Sequence, residues 1–349
     1  MGAGINGMCT AWLLAQDGHK VTVYERDMPM AATSSASSKL LHGGLRYLEN
    51  FEFRLVKEAL QERDAWFERV SHLAKPLQLT IPVYTHSRRS RWQYALGLGL
   101  YDHLAKSRFV PCSQWHDKAS TLAMHPGLRA EGLKGAYSFW DGQMDDHSLG
   151  LWVTEQALAA GVQLKTGTEV KQIGLLGEVV TCDGKTIKHQ KLINVAGPWV
   201  QNLVRNSGIS LQHQLDLVRG SHIVLRDNCK QAWLLEVPGE RRIFFVLPWQ
   251  GKTLVGTTEV RQKLDEPIQC SVEEQDYLLS AYKHYFPQAT LDIESSFAGL
   301  RPLIKSASNP TQATREYVIE QHGQVTTVLG GKWTTSMALA RKVKEKVIR

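Results

Sequence analysis

The sequence predicts an α/β (α+β) fold in two parts, one a nucleotide-binding domain of Rossmann type and the other strand-rich. Three observations carry this. The glycine loop Gly2-Ala3-Gly4-Ile5-Asn6-Gly7 opens a helical pattern, and a short apolar strand ending in the acid Glu25 follows. Residues 215–260 are dense in strand-like runs. Helix and strand patterns of the first kind return at the end of the chain, so the two domains are expected to be discontinuous: 1–74, 141–212 and 298–349 against 75–140 and 213–297.

Taken in order, residues 7–17 read as a helix stopped by Gly18, and Lys20 to Glu25 as a buried strand. Leu45 to Val70 reads as one helix, because Phe53, Val56, Leu60, Phe67 and Val70 recur at helical steps. Residues 75–140 look irregular and are rich in Trp, Pro and Arg. Asp146 is the expected N-cap of a helix carrying Leu149, Trp152, Val153, Ala157 and Ala160. Val179 to Ile187 reads as a hairpin turning at Asp183-Gly184, and Leu192 to Gly197 as a core strand. Strands are expected at Arg242 to Leu247 and Thr253 to Thr258, and a helix over 273–286. The tail reads as a strand from Val325, a glycine turn and a helix opening at Lys332.

At 349 residues, with 43% hydrophobic and 21% charged residues, the chain can bury a sizeable core and is not of disordered type. No run of eighteen apolar residues is present, so no spanning helix is expected, and the first residues do not read as a signal peptide. The net charge of +7 suits anionic ligands. No nucleic-acid-binding signature accompanies it, and nucleic acid is not an expected partner. Five scattered cysteines without a C-x-x-C pair read as reduced thiols, and no metal site is expected.

In a G-x-G-x-x-G loop the glycines allow a tight turn and let a pyrophosphate approach the backbone at a helix N-terminus. Glu25 lies eighteen residues after Gly7, near the spacing of about 20 at which an acid grips a ribose hydroxyl. The strand that should precede the loop is represented only by Met1. On that reading the first Rossmann strand is missing, and the chain is expected to bind dinucleotide poorly or to fold marginally.

Downstream, Thr33 to Ser38 supplies hydroxyls and small side chains suited to wrapping a pyrophosphate or a ring edge. His42-Gly43-Gly44 then allows close approach to a flat ring, and Arg46-Tyr47 places an anion holder beside it. The run Ser34-Ser35-Ala36-Ser37-Ser38-Lys39-Leu40-Leu41-His42-Gly43-Gly44-Leu45-Arg46-Tyr47-Leu48-Glu49 resembles the FAD-dependent (respiratory, aerobic) glycerol-3-phosphate dehydrogenases. So do Tyr101-Asp102-His103-Leu104, Asn194-Val195-Ala196-Gly197-Pro198-Trp199, Gly256-Thr257-Thr258-Glu259, Ala298-Gly299-Leu300-Arg301-Pro302, Thr314-Arg315-Glu316-Tyr317 and Gly330-Gly331-Lys332-Trp333-Thr334.

The resemblance implies a DAO-type fold, with an FAD domain built from the chain ends and a mixed, mainly antiparallel sheet forming the substrate site. It implies FAD contacts at Gly2, Gly4, Asn6, Gly7, Glu25, Thr33, Ser34, Ser35, Ser37, Lys39, His42, Gly43, Gly44, Val170, Ala196, Gly197, Trp199, Gly299, Gly331, Lys332, Trp333 and Thr334. It implies substrate contacts at Arg46, Tyr47, Thr258, Arg301, Arg315 and Lys332. The implied reaction is hydride transfer from C2 of sn-glycerol 3-phosphate to FAD, giving dihydroxyacetone phosphate, with quinone as the onward acceptor.

His222 is the first candidate for the base and His42 the second, because a neutral imidazole can take a hydroxyl proton near pH 7. Arg301 joins them in the expected catalytic set. The family implies a cytoplasmic protein attached peripherally to the inner membrane, and usually a further helical C-terminal domain. Arg88-Arg89-Ser90-Arg91-Trp92, followed by Tyr94, Leu96, Leu98, Leu100 and Tyr101, reads either as an interfacial helix or as a buried helix with a basic cap. Two rival readings stay open: an oxidase of the same fold acting on another hydroxy acid or amine, and a truncated non-catalytic remnant.

Overall fold

Helix α1, Ile5–Gln16, is apolar on nearly every side, and Ile5, Met8, Cys9, Ala11, Trp12, Leu14 and Ala15 are all buried. Such a helix must be enclosed. It packs between the helices Asp146–Ala159 and Ser336–Ile348. The computed structural model describes residues 1–305 and 317–348.

Strand Thr22–Tyr24 pairs in parallel with Gln163–Lys165, and Leu192–Asn194 in parallel with Val325–Gly330. Met1 and Gly2 bridge the two groups. The Gly2 amide donates to Tyr24 O (3.0 Å), and the Val195 amide donates to Met1 O (3.0 Å). Parallel strands buried under helices are the expected Rossmann arrangement.

The ten-stranded sheet runs from Val260–Arg261 through Leu215–Leu225, Lys252–Gly256, Ile243–Trp249, Ala232–Glu236, Ala74–Tyr84 and Leu133–Met144 to Leu40–Leu41. Ile293–Ile304 pairs with Leu215–Leu225, and Gln114–Asp117 with Leu133–Met144. Its pairings are antiparallel except that of Ala232–Glu236 with Ala74–Tyr84, so the sheet is mixed and mainly antiparallel. Leu133–Met144 and Ile293–Ile304 run across residues 140 and 297, where the sequence suggested domain boundaries.

Alternation along the strands gives this sheet two apolar faces. Leu79, Ile81, Val83, Phe139, Leu234 and Leu254 meet α2 (Phe53–Arg69) and α3 (Arg91–Ala105). Trp233, Leu235, Phe244, Val246 and Val255 meet the helix Val272–Tyr285. Each fully buried large side chain contributes roughly 1.5–3 kcal/mol.

Four sequence expectations are corrected. Residues 75–140 are not irregular: they hold two long strands and α3. The strand Ala74–Tyr84 is buried without a break from Leu79 onward, so it carries no alternation to read. Leu45 to Val70 is a 3₁₀ turn, Leu45–Asn50, and then α2, broken where Phe51 takes the left-handed φ of 57°. The N-cap is Asp145, which accepts from Ser148 N; Asp146 is the first helical residue. The last helix begins at Ser336, leaving Lys332 in the preceding turn.

Helix α3 is capped by Ser90 and Gln93 in a reciprocal box. It buries Tyr94, Leu98 and Tyr101 and exposes Trp92 (73%) and Leu96 (76%). The helix is therefore buried along one face and exposed along the other.

Candidate active site

The start of α1 is built to meet a ligand with backbone. A Cβ on Gly7 would lie 2.0 Å from Gly2 O, so only glycine lets the loop fold onto the helix. Gly4 caps α1 without a side-chain bond, and the Ile5 amide is met by Ser34 Oγ at 3.0 Å. Glu25 accepts the Ala3 amide (2.6 Å) and the Asp27 amide (2.9 Å), so its carboxylate is held at the wall.

A cavity of about 560 Å³ opens here, within the usual span of cofactor sites. Its wall includes Gly2, Gly4, Asn6, Glu25, Thr33, Ser34 and Ser37. Val170, Ala196, Gly197, Trp199, Gly299, Gly331, Trp333 and Thr334 continue it. Asn6 Oδ1 is buried here without a hydrogen-bond partner. A buried polar atom left unpaired is costly, so it asks for a ligand donor. With the backbone cradle of Gly2 and Gly4, the residues present fit FAD.

Four expected cofactor residues stand behind the wall. Gly7 and Gly43 shape the backbone. Ser35 Oγ bonds Met30 O (2.6 Å) and His147 Nδ1 (2.9 Å). Lys39 Nζ turns to Asp146 Oδ1 at 2.6 Å and to Ser35 O at 2.8 Å. Its ammonium is therefore half of a buried ion pair.

His42, Gly44, Arg46, Tyr47, His222, Arg301 and Lys332 line the same cavity. Lys332 Nζ lies 4.1 Å from the Tyr47 ring centroid, a cation–π contact that sets the ammonium beside Arg46-Tyr47. Arg301 Nη2 donates to Thr258 O at 3.0 Å, and its Nη1 is 3.6 Å from Glu259. The Thr258 hydroxyl is buried on Glu274 and takes the Ser221 amide, so Thr257 rather than Thr258 reaches the wall. Arg315 lies outside the described residues.

His222 stacks on Phe297 at 4.9 Å, its Nε2 is 2.9 Å from Ser38 Oγ, and its Nδ1 is buried without a partner. Burial first, then the cations Lys39 and Arg301, pushes its pKa down to about 3, so the ring is neutral. His42 faces Phe245, with centroids 6.5 Å apart.

Sequence reasoning missed Ser38, Asp141, Thr257 and Glu259 on this wall, and the apolar Leu45, Leu234, Ile243 and Phe245. Ser38, Thr257 and Glu259 lie inside motifs already singled out, which was signal enough. Leu234, Ile243 and Phe245 come from strands whose register only pairing decides, and Leu45 from the 3₁₀ turn Leu45–Asn50.

A nucleotide cradle joined to a cationic pocket defines a flavin-dependent oxidoreductase. The sequence matches the FAD dependent oxidoreductase (DAO) family over residues 1–345. It is 35% identical to the aerobic glycerol-3-phosphate dehydrogenase of Escherichia coli, covering 99% of this chain and 72% of that protein. It is 33% identical to the glycerol-3-phosphate dehydrogenase of Synechocystis, covering 99% and 69%. The chain thus belongs to the glycerol-3-phosphate dehydrogenases of the DAO family, FAD-dependent enzymes. The solved glycerol-3-phosphate dehydrogenase from Bacillus halodurans, complexed with FAD, superposes with a TM-score of 0.79 at 27% identity; the match covers 99% of this chain and 63% of that one. An L-alpha-glycerophosphate oxidase from Mycoplasma pneumoniae shares the fold, with a TM-score of 0.80 at 20% identity.

Proposed function

We propose that this chain oxidises sn-glycerol 3-phosphate to dihydroxyacetone phosphate, with Arg46, Arg301 and Lys332 holding the phosphate and His222 taking the C2 hydroxyl proton. The observation that carries this is the convergence of these three cations with His222 on the cavity that the glycine fingerprint opens. FAD, when bound, supplies the hydride acceptor. A phosphate dianion needs several charge-assisted donors, and the cations come from three separate stretches of chain. Tyr47 orients Lys332 by its ring, and the Thr258 carbonyl orients Arg301.

The proton goes to His222 Nδ1, the nitrogen without a protein partner, while Nε2 stays on Ser38. A bound phosphate offsets the cationic field on the imidazole and makes it a better base. Anaerobic titration of the FAD-reconstituted protein with sn-glycerol 3-phosphate tests the reading. Bleaching of the flavin band supports it; a flavin that stays oxidised at saturating substrate refutes it.

The acceptor in this reading is a quinone. The apolar wall of Leu45, Leu234, Ile243 and Phe245 supports it, since an aromatic acceptor needs such a surface. Reoxidation faster with oxygen than with a soluble quinone would refute it. The partner surface is an anionic membrane, met by Trp92 and Leu96 with Arg88 and Arg91 beside them. Arg89 is already held by Glu49 and by Glu236, at 2.7 Å from the latter. Among the described residues no helix is long and apolar enough to cross a membrane. Co-sedimentation with anionic liposomes should be lost in the Arg88→Glu/Arg91→Glu variant; retention refutes the surface.

A further inference from the structure

Behind the His42-Gly43-Gly44 loop, three polar side chains from three elements converge in the core. Arg63 of α2 is 0% exposed, Tyr101 of α3 1%, and Asp141 of the strand Leu133–Met144 4%. The Tyr101 hydroxyl donates to the Asp141 carboxylate at 2.8 Å, and Arg63 Nη1 donates to it at 3.2 Å. The Gly43 amide donates to Tyr101 Oη at 2.9 Å and to Asp141 Oδ1 at 3.3 Å. Burial pushes Asp141 up to about 6 despite the pull of Arg63.

The His42 amide, one residue earlier, bonds Thr334 Oγ1 at 3.2 Å, so side chains rather than a sheet ladder accept from both amides. A Cβ on Gly43 would lie 2.6 Å from Leu60 and 2.7 Å from the Tyr101 hydroxyl, so the backbone is pressed onto the cluster. His42 and Gly44, on either side, line the cavity, as does Asp141. Apolar packing of the same volume would hold these elements together at least as firmly as a buried ion pair. What an apolar core cannot do is aim one amide.

We propose that Arg63, Asp141 and Tyr101 are positioning residues: together they tether the Gly43 amide and so set His42 and Gly44 against the flavin ring. This rests on the reading of the cavity given above. The tether does no chemistry itself. It fixes the distance between loop and ring, and small misplacements at a reacting centre cost rate steeply.

The test uses Tyr101→Phe and Asp141→Asn in the FAD-reconstituted protein, with three readouts: the absorption spectrum of the bound flavin, its midpoint potential, and the limiting rate of its reduction by sn-glycerol 3-phosphate. At full flavin loading, both variants should change the spectrum and the potential. The limiting rate should fall roughly 10- to 100-fold, with little change in half-saturating substrate. Unchanged spectrum, potential and limiting rate would overturn the tether. Should either variant fail to fold, Arg63→Lys, which keeps the charge, must show the same spectral change in smaller degree; a wild-type spectrum and potential there would overturn it too. If the wild-type flavin is not reduced by the substrate, the proposed function fails. The spectrum and the dithionite-measured potential would still decide the tether.

Discussion

The two ends of the cavity are made of different material. At the fingerprint the wall is backbone: Gly2, Gly4, the start of α1, Ala196 and Gly197, with Glu25 held by two amides. At the other end it is long charged side chains, Arg46, Arg301 and Lys332, from separate parts of the chain. A backbone site depends on shape and tolerates no added atom. A side-chain site tolerates changes of shape better than loss of charge. The two ends should therefore fail differently, and mutation can separate them.

The largest effect is expected from Gly7→Ala. Its Cβ would stand 2.0 Å from Gly2 O, a clash with backbone that no rotamer relieves. Overpacking of this kind costs about 1–3 kcal/mol or more. Flavin retention after reconstitution should be lost and the thermal midpoint lowered; normal flavin content would break the comparison at its rigid end.

Next comes His222→Asn, at the proposed base. Flavin should stay bound, and its reduction by substrate should slow by about 10²–10⁴-fold, the usual size of a general-base contribution. Rapid-mixing absorbance measures this, and an unchanged rate removes His222 from the role. Arg301→Met should follow. Losing a charge-assisted bond worth about 1.5–3 kcal/mol weakens substrate binding roughly 10- to 150-fold. Loss of flavin instead would show that the two ends are not separable.

A further effect is one of pH. His222 is held down at about 3 in the folded chain by burial, Lys39 and Arg301. Its unfolded value is about 6.5. Between those values the unfolded chain binds a proton that the folded chain does not, so stability falls as pH drops from about 6.5 toward 3. His125, pushed down to about 4 by burial and then by His116, acts with the same sign. Asp141, raised to about 6, acts with the opposite sign between about 3.8 and 6. Thermal melts from pH 7 to 4 should show a shallower fall for His222→Asn than for the wild type; equal slopes would mean that the ring is not buried neutral.

The fingerprint end was legible because its parts are local. Gly2 to Gly7, the helix and Glu25 lie within 25 residues, and short-range spacing is what a sequence displays. The irregular reading of residues 75–140 failed for the opposite reason. A strand such as Ala74–Tyr84, covered on both faces, has no period to show. Lys39 illustrates a third case. Its place in the serine run suggested a cofactor contact, but Asp146, 107 residues away, holds its ammonium.

By itself the sequence determined the class of fold, the nucleotide loop and the residue types of the anion pocket, because glycine spacing, periodicity and charge are properties of the chain. Only the tertiary structure decided which of those residues face the cavity. It turned Lys39 and the Thr258 hydroxyl away, brought Thr257 and Glu259 forward, and set Arg63, Tyr101 and Asp141 behind Gly43. The physical reason is that facing depends on strand register and on pairing between residues far apart in sequence. A shift of one residue in a strand reverses every side chain in it.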